Sequence, residues 1–304
     1  MHAVRLTQLA TPLIDADIPE PTAGPGEVLV DIHAAGICHS DAHYRAGKGS
    51  ITLPLTLGHE IAGVISGTSQ RVALHYLHDD GRMLGKEVDG GYAERIIVPA
   101  ANAVPIPDGI PFEAAAVMMC STATAWHALR LAHLRPGESV AILGFGGLGA
   151  SAVQLAKVLG AGRVFAVDRV PEKLEAAKSF GAIPTAIEDL RNVDVALDFA
   201  GHPATTLQAL RALNRGGRIM IVAINLRMLE LDAYRDVLAH ERHIIGVSDH
   251  TREELVELLD LAHRGSIDIS PVITRRVALN AGAINEVLDD LDAGTRHLRT
   301  VITL

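Results

Sequence analysis

The sequence predicts an α/β chain: a doubly wound parallel sheet beside a strand-rich, barrel-like part. Three observations predict it. Strands and helices alternate from Ser139 onward, the first hundred residues are short strand-like runs broken by proline and glycine, and strand character returns near the C-terminus. Pro12, Pro19, Pro21, Gly24, Pro25 and Gly26 punctuate the start, after which 27–33, 61–66, 71–76 and 92–98 read as strands. Pro111 opens an alanine- and methionine-rich helix at 113–119, and a second helix at 124–134 ends before Pro136. Strands are then expected at 139–143, 163–168, 193–199, 218–223 and 243–247, with helices at 147–159, 171–180, 204–213 and 233–239 between them. Thr251-Arg-Glu-Glu254 is a capping box that opens a helix reaching His263. A strand at 272–279, a helix at 283–291 and a strand at 298–304 complete the chain. The expected division is 1–120 with 249–304 for the barrel-like part and 121–248 for the parallel sheet.

Composition excludes several classes of function. The 304 residues are 48% hydrophobic and 21% charged, enough apolar content for a large core and too much for a disordered chain. The formal net charge of −9, with no basic block, argues against nucleic acid as a partner. No apolar run reaches the roughly 18–20 residues of a membrane span, and Arg5, Thr7 and Gln8 interrupt any signal-peptide pattern, so no membrane partner and a cytoplasmic location are expected. Two cysteines, Cys38 and Cys120, rule out a disulfide scaffold and a four-cysteine metal knuckle.

Gly144-Phe-Gly146-Gly-Leu-Gly149 lies between an expected strand and an expected helix, the context in which this spacing binds a dinucleotide. Gly144 permits the tight turn, Gly146 lets backbone approach a pyrophosphate, and Gly149 lets the helix pack closely on the strand; Gly147 and Leu148 complete the binding segment. Asp168 follows Gly144 by 24 positions, at the end of the next strand, where a carboxylate accepts from both ribose hydroxyls of NAD and repels the extra phosphate of NADP. Arg169, next to it, works the other way, since a guanidinium can hold that phosphate.

Two thiolates and an imidazole with an open fourth position form a catalytic zinc set, and Cys38, His59 and Cys120 supply those groups. They are separated by 21 and 61 residues, so spacing leaves the choice open between metal ligands and ordinary buried thiols with an unrelated histidine.

The motifs Gly36-Ile-Cys38-His-Ser40-Asp41-Ala-His43, Gly58-His59-Glu60-x-x-Gly63, Asp89-Gly-Gly-Tyr-Ala-Glu94, Ala114-Ala-Ala-Val-Met-Met-Cys120 and the Gly144–Gly149 turn occur in this order along nearly the whole chain. Together they resemble the zinc-containing alcohol dehydrogenases of the medium-chain dehydrogenase/reductase superfamily. The resemblance implies a GroES-like barrel made from the two chain ends around a Rossmann domain. It further implies one catalytic Zn2+ per subunit on Cys38, His59 and Cys120, and reversible hydride transfer between NAD(H) and an alcohol, aldehyde or ketone whose oxygen the metal polarises. Glu60 matches a carboxylate near the metal, Asp41 a residue that orients a ligand histidine, and Ser40 and His43 a proton relay. Lys173 matches a lysine on the adenosine ribose, and Arg299, more loosely, an arginine at the pyrophosphate. Ser40, Ile51 and Tyr76 align with the substrate pocket. Arg45 aligns near it too, and would favour an anionic substrate if it faced the cleft, or else be an exposed loop residue.

One departure is plain. Relatives carry a lobe with four closely spaced cysteines holding a structural zinc, whereas here 77–89 is short and has no cysteine, so no structural zinc is expected. Two other functions compete: a zinc-free quinone or enoyl reductase-like member using NADPH, and a non-enzymatic nucleotide-binding protein that kept the fold. By analogy with the family the chain self-associates as a homodimer or homotetramer, with 243–247 as the edge strand that pairs.

Overall fold

Strand pairing begins with the second residue. In the computed structural model, which describes every residue except Leu226, β1 (His2–Leu6) runs antiparallel to β2 (Ile14–Asp17), with His2 opposite Asp17 and Arg5 opposite Ile14. The longest strand, β3 (Glu27–Ile37), passes from a half-exposed start to a buried end as its sequence turns from alternating to continuously apolar. Helix α1 (His39–Arg45) follows after a single residue, Cys38, in extended conformation. At seven residues it is too short to show a helical period, and the sequence reading had no helix there. Next come β4 (Leu55–Thr56), β5 (Glu60–Ile65), β6 (Arg71–Leu74), β7 (Arg95–Pro99) and β8 (Ala103–Pro105).

The two helices expected after Pro111 are joined. Helix α2 (Phe112–Val117) widens into a π-helical turn over Met118–Thr122 and continues as α3 (Ala123–Leu131). The chain then alternates: β9 (Val140–Leu143), α4 (Gly147–Val158), β10 (Val164–Val167), α5 (Pro171–Ser179), β11 (Ile183–Pro184), β12 (Val193–Asp198), α6 (Pro203–Ala212), β13 (Leu213–Ile221) and β14 (His243–Gly246). The helix expected at 233–239 is instead a π turn, Ala233–Val237, followed by a 3-10 turn, Leu238–His240. Asp232 caps the π turn by accepting from the backbone N–H groups of Tyr234 and Arg235. The tail is α7 (Arg252–His263), β15 (Ile273–Ala278), α8 (Ala281–Ala293) and β16 (Arg299–Thr303).

These elements form two compact units. The first is Met1–Ser121 with Arg252–Leu304, the second Thr122–Thr251. In the first unit, β15, β16, β3, β5, β6 and β8 make one sheet in that order, with β7 also on β3, and β2, β1 and β4 make a second. The C-terminal strand is integral to the first sheet: β16 lies antiparallel to β3, with Val301 opposite Gly36. On the other side of β3, Gly36 pairs with Glu60 of β5. Leu6, Ile37, Leu57, Tyr92, Ile284 and Ile302 pack in the core of this unit.

In the second unit six parallel strands follow the order β11-β10-β9-β12-β13-β14, the 3-2-1-4-5-6 order of a dinucleotide-binding sheet. Its strands are nearly continuous Val, Ile, Leu and Ala because helices cover both faces. Ala141, Leu143, Ala196, Leu210 and Ile219 form part of its core. Among the described residues no helix is long and apolar enough to cross a membrane. Replacing Leu210, 1% exposed under α6, by alanine is expected to destabilise the second unit by about 2–5 kcal/mol in urea unfolding, through lost burial and the cavity left behind. Met228→Ala, at a side chain 79% exposed, is expected to change stability by less than about 0.5 kcal/mol.

Candidate metal centre and dinucleotide turn

Three separate segments bring Cys38, His59 and Cys120 together. Cys38 sits between β3 and α1, His59 immediately precedes β5, and Cys120 lies within the π turn after α2. One ligand atom of each falls within 4.8 Å of the other two. Cys38 and His59 are 5% and 3% exposed, and Cys120 is half-buried. π turns recur at functional sites because the extra residue re-aims a side chain, and here it carries the thiol.

The surroundings fix the ring of His59. Its Nδ1 lies 3.2 Å from Oδ1 of Asp41, close enough for strong charge interaction but not aligned as a hydrogen bond; neither atom has a hydrogen-bond partner. The other Asp41 oxygen accepts the backbone N–H of Cys38 at 2.8 Å and the hydroxyl of Tyr92 at 2.7 Å. Burial opposes a charge on His59, yet Asp41 and Cys38 outweigh it and hold the ring's pKa well above its ordinary value. The two thiols shift one another in opposite directions. The hydrogen bond with Cys120 is the largest influence lowering Cys38, with Arg299 and His59 adding to it, while the same bond raises Cys120. The donor set fits a soft divalent cation: two sulfurs, one favoured as thiolate, and an imidazole backed by a carboxylate on its far nitrogen.

Glu60 is fully buried beside this cluster. Arg299 of β16 donates to both its oxygens, through Nε at 3.0 Å and through Nη2, and the backbone N–H of Ser121 donates to Oε1 at 3.1 Å. Gly36 of β3 makes the arrangement possible, since a Cβ there would lie 1.9 Å from Glu60 Oε2. Burial pushes the Glu60 carboxyl up, to about 7, against the pull of Arg299. Burial also opposes the charge on Arg299, but Glu60 and the two cysteines keep it protonated. Arg299, which aligns loosely with a pyrophosphate arginine, is 6% exposed and has its Nε and Nη2 on Glu60.

The remaining expected residues separate into two groups. Ser40 Oγ lies 3.7 Å from Cys38 Sγ, and Tyr76 presents its ring edge-on to His59 at 5.4 Å, so both adjoin the cluster. His43, one turn after Ser40 on α1, is half-buried and has Lys48 Nζ 3.2 Å from its Nδ1. Ile51 packs at the margin of the core that holds Tyr44 and Leu55. Arg45 corrects the anion-binding expectation: its Nη2 is 2.7 Å from Asp289 and 3.7 Å from Asp292, both on α8, and its side chain is 12% exposed. Helix α1 turns that side chain onto acidic α8, where it is neutralised.

In the second unit the glycine turn stands at the C-terminal end of β9, beside the point where strand order reverses. Gly144 has φ +91°, and a Cβ on Gly149 would lie 2.4 Å from the Gly144 carbonyl oxygen. The turn leads into α4, whose first N–H groups are available to an anion. Gly146 caps α4 in extended conformation, and Gly147 and Leu148 are its first two residues. Asp168 accepts from the N–H groups of Phe145 at 2.7 Å and Val170 at 2.9 Å, so the carboxylate is locked to the turn. Arg169 is exposed beside it. Burial lowers the pKa of Lys173, with Asp168 opposing the shift.

Comparison with known proteins gives this geometry a family. A family described as "Alcohol dehydrogenase GroES-like domain" matches residues 24–108, and one described as "Zinc-binding dehydrogenase" matches 147–264. An NAD-dependent alcohol dehydrogenase of Sulfolobus acidocaldarius is 32% identical over 345 residues, covering 99% of both chains. The chain belongs to the zinc-type alcohol dehydrogenases of the medium-chain dehydrogenase/reductase superfamily. An alcohol dehydrogenase of Geobacillus stearothermophilus is 33% identical over 341 residues, again covering 99% of each chain. The crystal structure of the alcohol dehydrogenase of Aeropyrum pernix superposes with a TM-score of 0.90 at 30% identity, covering all of both chains. The chain thus has the GroES-like and Rossmann-like parts of an alcohol dehydrogenase.

Sequence reasoning gave no role to Tyr92, although it lies in the quoted Asp89–Glu94 motif. In this dehydrogenase it is fully buried, holds Asp41, and packs where a Cβ on Gly58 would meet its ring at 2.4 Å. No local signal marked it: Gly90 and Gly91 before it make room for the Gly58 and Gly85 backbone and for Ile61, while the ring is accommodated by the distant Gly58. Tyr92→Phe is expected to cost about 1–3 kcal/mol in chemical unfolding by removing one of the donors to a buried carboxylate. A change near zero would show that Asp41 does not need the hydroxyl.

Proposed function

We propose that the chain is a zinc-dependent alcohol dehydrogenase using NAD, with one zinc held by Cys38, His59 and Cys120. The observation that carries the reading is the convergence of those three side chains from distant segments onto one buried point. The first unit is then the catalytic domain and the second the cofactor domain. When bound, zinc would supply Lewis-acid polarisation of the substrate oxygen, and NAD the hydride acceptor. The protein's own part is positioning and proton handling. Asp41 holds the His59 ring so that Nδ1 faces the carboxylate and Nε2 is left for the metal. Ser40 Oγ would accept the hydroxyl proton of the alcohol while releasing its own proton to the cofactor's ribose hydroxyl, and His43, three residues on and therefore on the same face of α1, would take it on towards solvent.

For the cofactor, Asp168 has acceptor capacity left on both oxygens after its two backbone bonds, which suits a ribose diol and favours NAD over NADP. Lys173 is the adenosine-side contact. The substrate is a small alcohol or carbonyl compound, bounded on the metal side by Ser40 and Tyr76. Self-association as a dimer or tetramer is supported by β14, an edge strand of the parallel sheet on which Ile244 is 40% exposed.

Metal analysis of protein prepared with sufficient zinc is expected to find one zinc per chain, and Cys38→Ser or Cys120→Ser to lose metal and turnover together. Metal-free wild type retaining full alcohol-dependent NADH production would overturn the mechanism. The relay has its own signature. Burial holds His43 below the ordinary imidazole value, with His39 and Lys48 adding to the effect. A neutral ring is the one that accepts a proton, so the rise of alcohol oxidation with pH due to His43 is expected below about pH 6.5. In His43→Gln that rise should vanish and oxidation should slow; an unchanged profile removes His43 from the relay.

A further inference from the structure

Outside the cysteine cluster, a second set of metal-ligand side chains converges where α1 meets α8. His39 and His43 are four residues apart on α1, the separation that places two imidazoles on one helix face, and Asp292 reaches them from α8. A ligand atom of each lies within 4.8 Å of the other two. The two rings are side by side, with centroids 4.7 Å apart and planes 31° from parallel. His39 Nε2 is 3.5 Å from Asp292 Oδ1. Metal–nitrogen bonds of about 2.0–2.1 Å make a tetrahedral ligand–ligand edge of about 3.4 Å, so this pair already stands at the separation a shared ion requires.

We infer that His39, His43 and Asp292 form a second, solvent-facing site for a divalent transition-metal ion such as Zn2+, Co2+ or Ni2+, and that filling it withdraws the His43 ring from proton transfer. The donor set is two imidazoles and a carboxylate, with water to complete the shell, a borderline-to-hard set unlike the thiolate pair of the buried centre. The Asp292 carboxylate is available to it. Arg45 is committed to Asp289 at 2.7 Å and stands 3.7 Å from Asp292, whose nearer neighbour is the His39 ring at 3.5 Å. Lys48, 3.2 Å from His43 Nδ1, opposes a cation, but its ammonium is on an exposed flexible stem that can swing into solvent. His39 and Asp292 are about half exposed, with side-chain values of 52% and 48%, so the ion can enter without any movement of the core. The inhibitory consequence rests on the relay reading above; the site itself does not.

The test is equilibrium dialysis of the zinc-loaded enzyme against Co2+, with metal analysis, visible spectra and alcohol oxidation measured on the same samples. Wild type is expected to take up one more equivalent than His39→Gln or Asp292→Asn, which alter side chains beside His43 but remove neither a station of the proposed relay nor a member of the cysteine cluster. The added cobalt should show weak ligand-field bands without the intense thiolate charge-transfer band that cobalt in the cysteine site would give. Oxidation by wild type should fall as that equivalent binds, while both variants keep their rate. Equal uptake by wild type and the two variants overturns the site. Extra uptake lost in the variants but with no loss of wild-type rate upholds the site and overturns the role of His43 in the relay.

Discussion

The carboxylate of Asp41 is the point on which the Cys38–His59–Cys120 cluster of the first unit depends. It has no exposure to solvent, and everything it touches belongs to the site: the Cys38 N–H at the start of α1, the Tyr92 hydroxyl and the His59 ring. A carboxylate removed from water needs partners: two hydrogen bonds on one oxygen fix the entry of α1, while the other oxygen faces the His59 ring at 3.2 Å without a hydrogen bond. The same requirement explains why Asp41 is the third residue of a very short helix, where its side chain reaches back to the residue before the helix. Helix start and the Cys38–His59 pair are one structural solution.

A second buried charge pair closes the other side. Glu60 and Arg299 meet across β3, over a glycine, and the backbone of Ser121 joins them from the π turn. A buried pair of this kind contributes little net stability, because desolvation offsets most of the attraction. Its value here is positional. It ties the last strand of the chain to the segment that carries His59 and to the turn that carries Cys120, so the thiols and imidazole are held from three directions. The dinucleotide turn uses no charge pair but the same economy of backbone: Asp168 is locked by two N–H groups while its oxygens still face outward acceptor duty.

The segment between β6 and β7 is a run of turns closed by local bonds. His78, Leu84, Gly85 and Met83 close local backbone and side-chain bonds with Arg82, Tyr76, Val88 and Glu87. Tyr76 and Leu84 are buried together with Ile61 and Leu74. The segment is thus a set of turns anchored on the catalytic core, and Tyr76 arrives at His59 as part of that anchoring.

Local pattern made the central sheet legible. Glycine spacing, apolar runs and turn residues are signals contained within a few positions, and β9, α4, β10 and Asp168 follow from them directly. Short or irregular elements were not legible: α1 has no room for a period, and the π turn at Cys120 differs from α-helix by one residue of winding that no side chain announces. Motif order pointed to Cys38, His59 and Cys120, but the residues around them, Tyr92 as donor to Asp41 and Arg299 as counter-ion of Glu60, depend on contacts 51 and 239 positions apart. The sequence by itself determined which chemical groups the protein owns and the alternation that builds its parallel sheet. Tertiary structure alone decided which groups face one another, because that depends on strand register: with Gly36 opposite both Glu60 and Val301, the acid and the arginine must meet, and a one-residue slip would point either away.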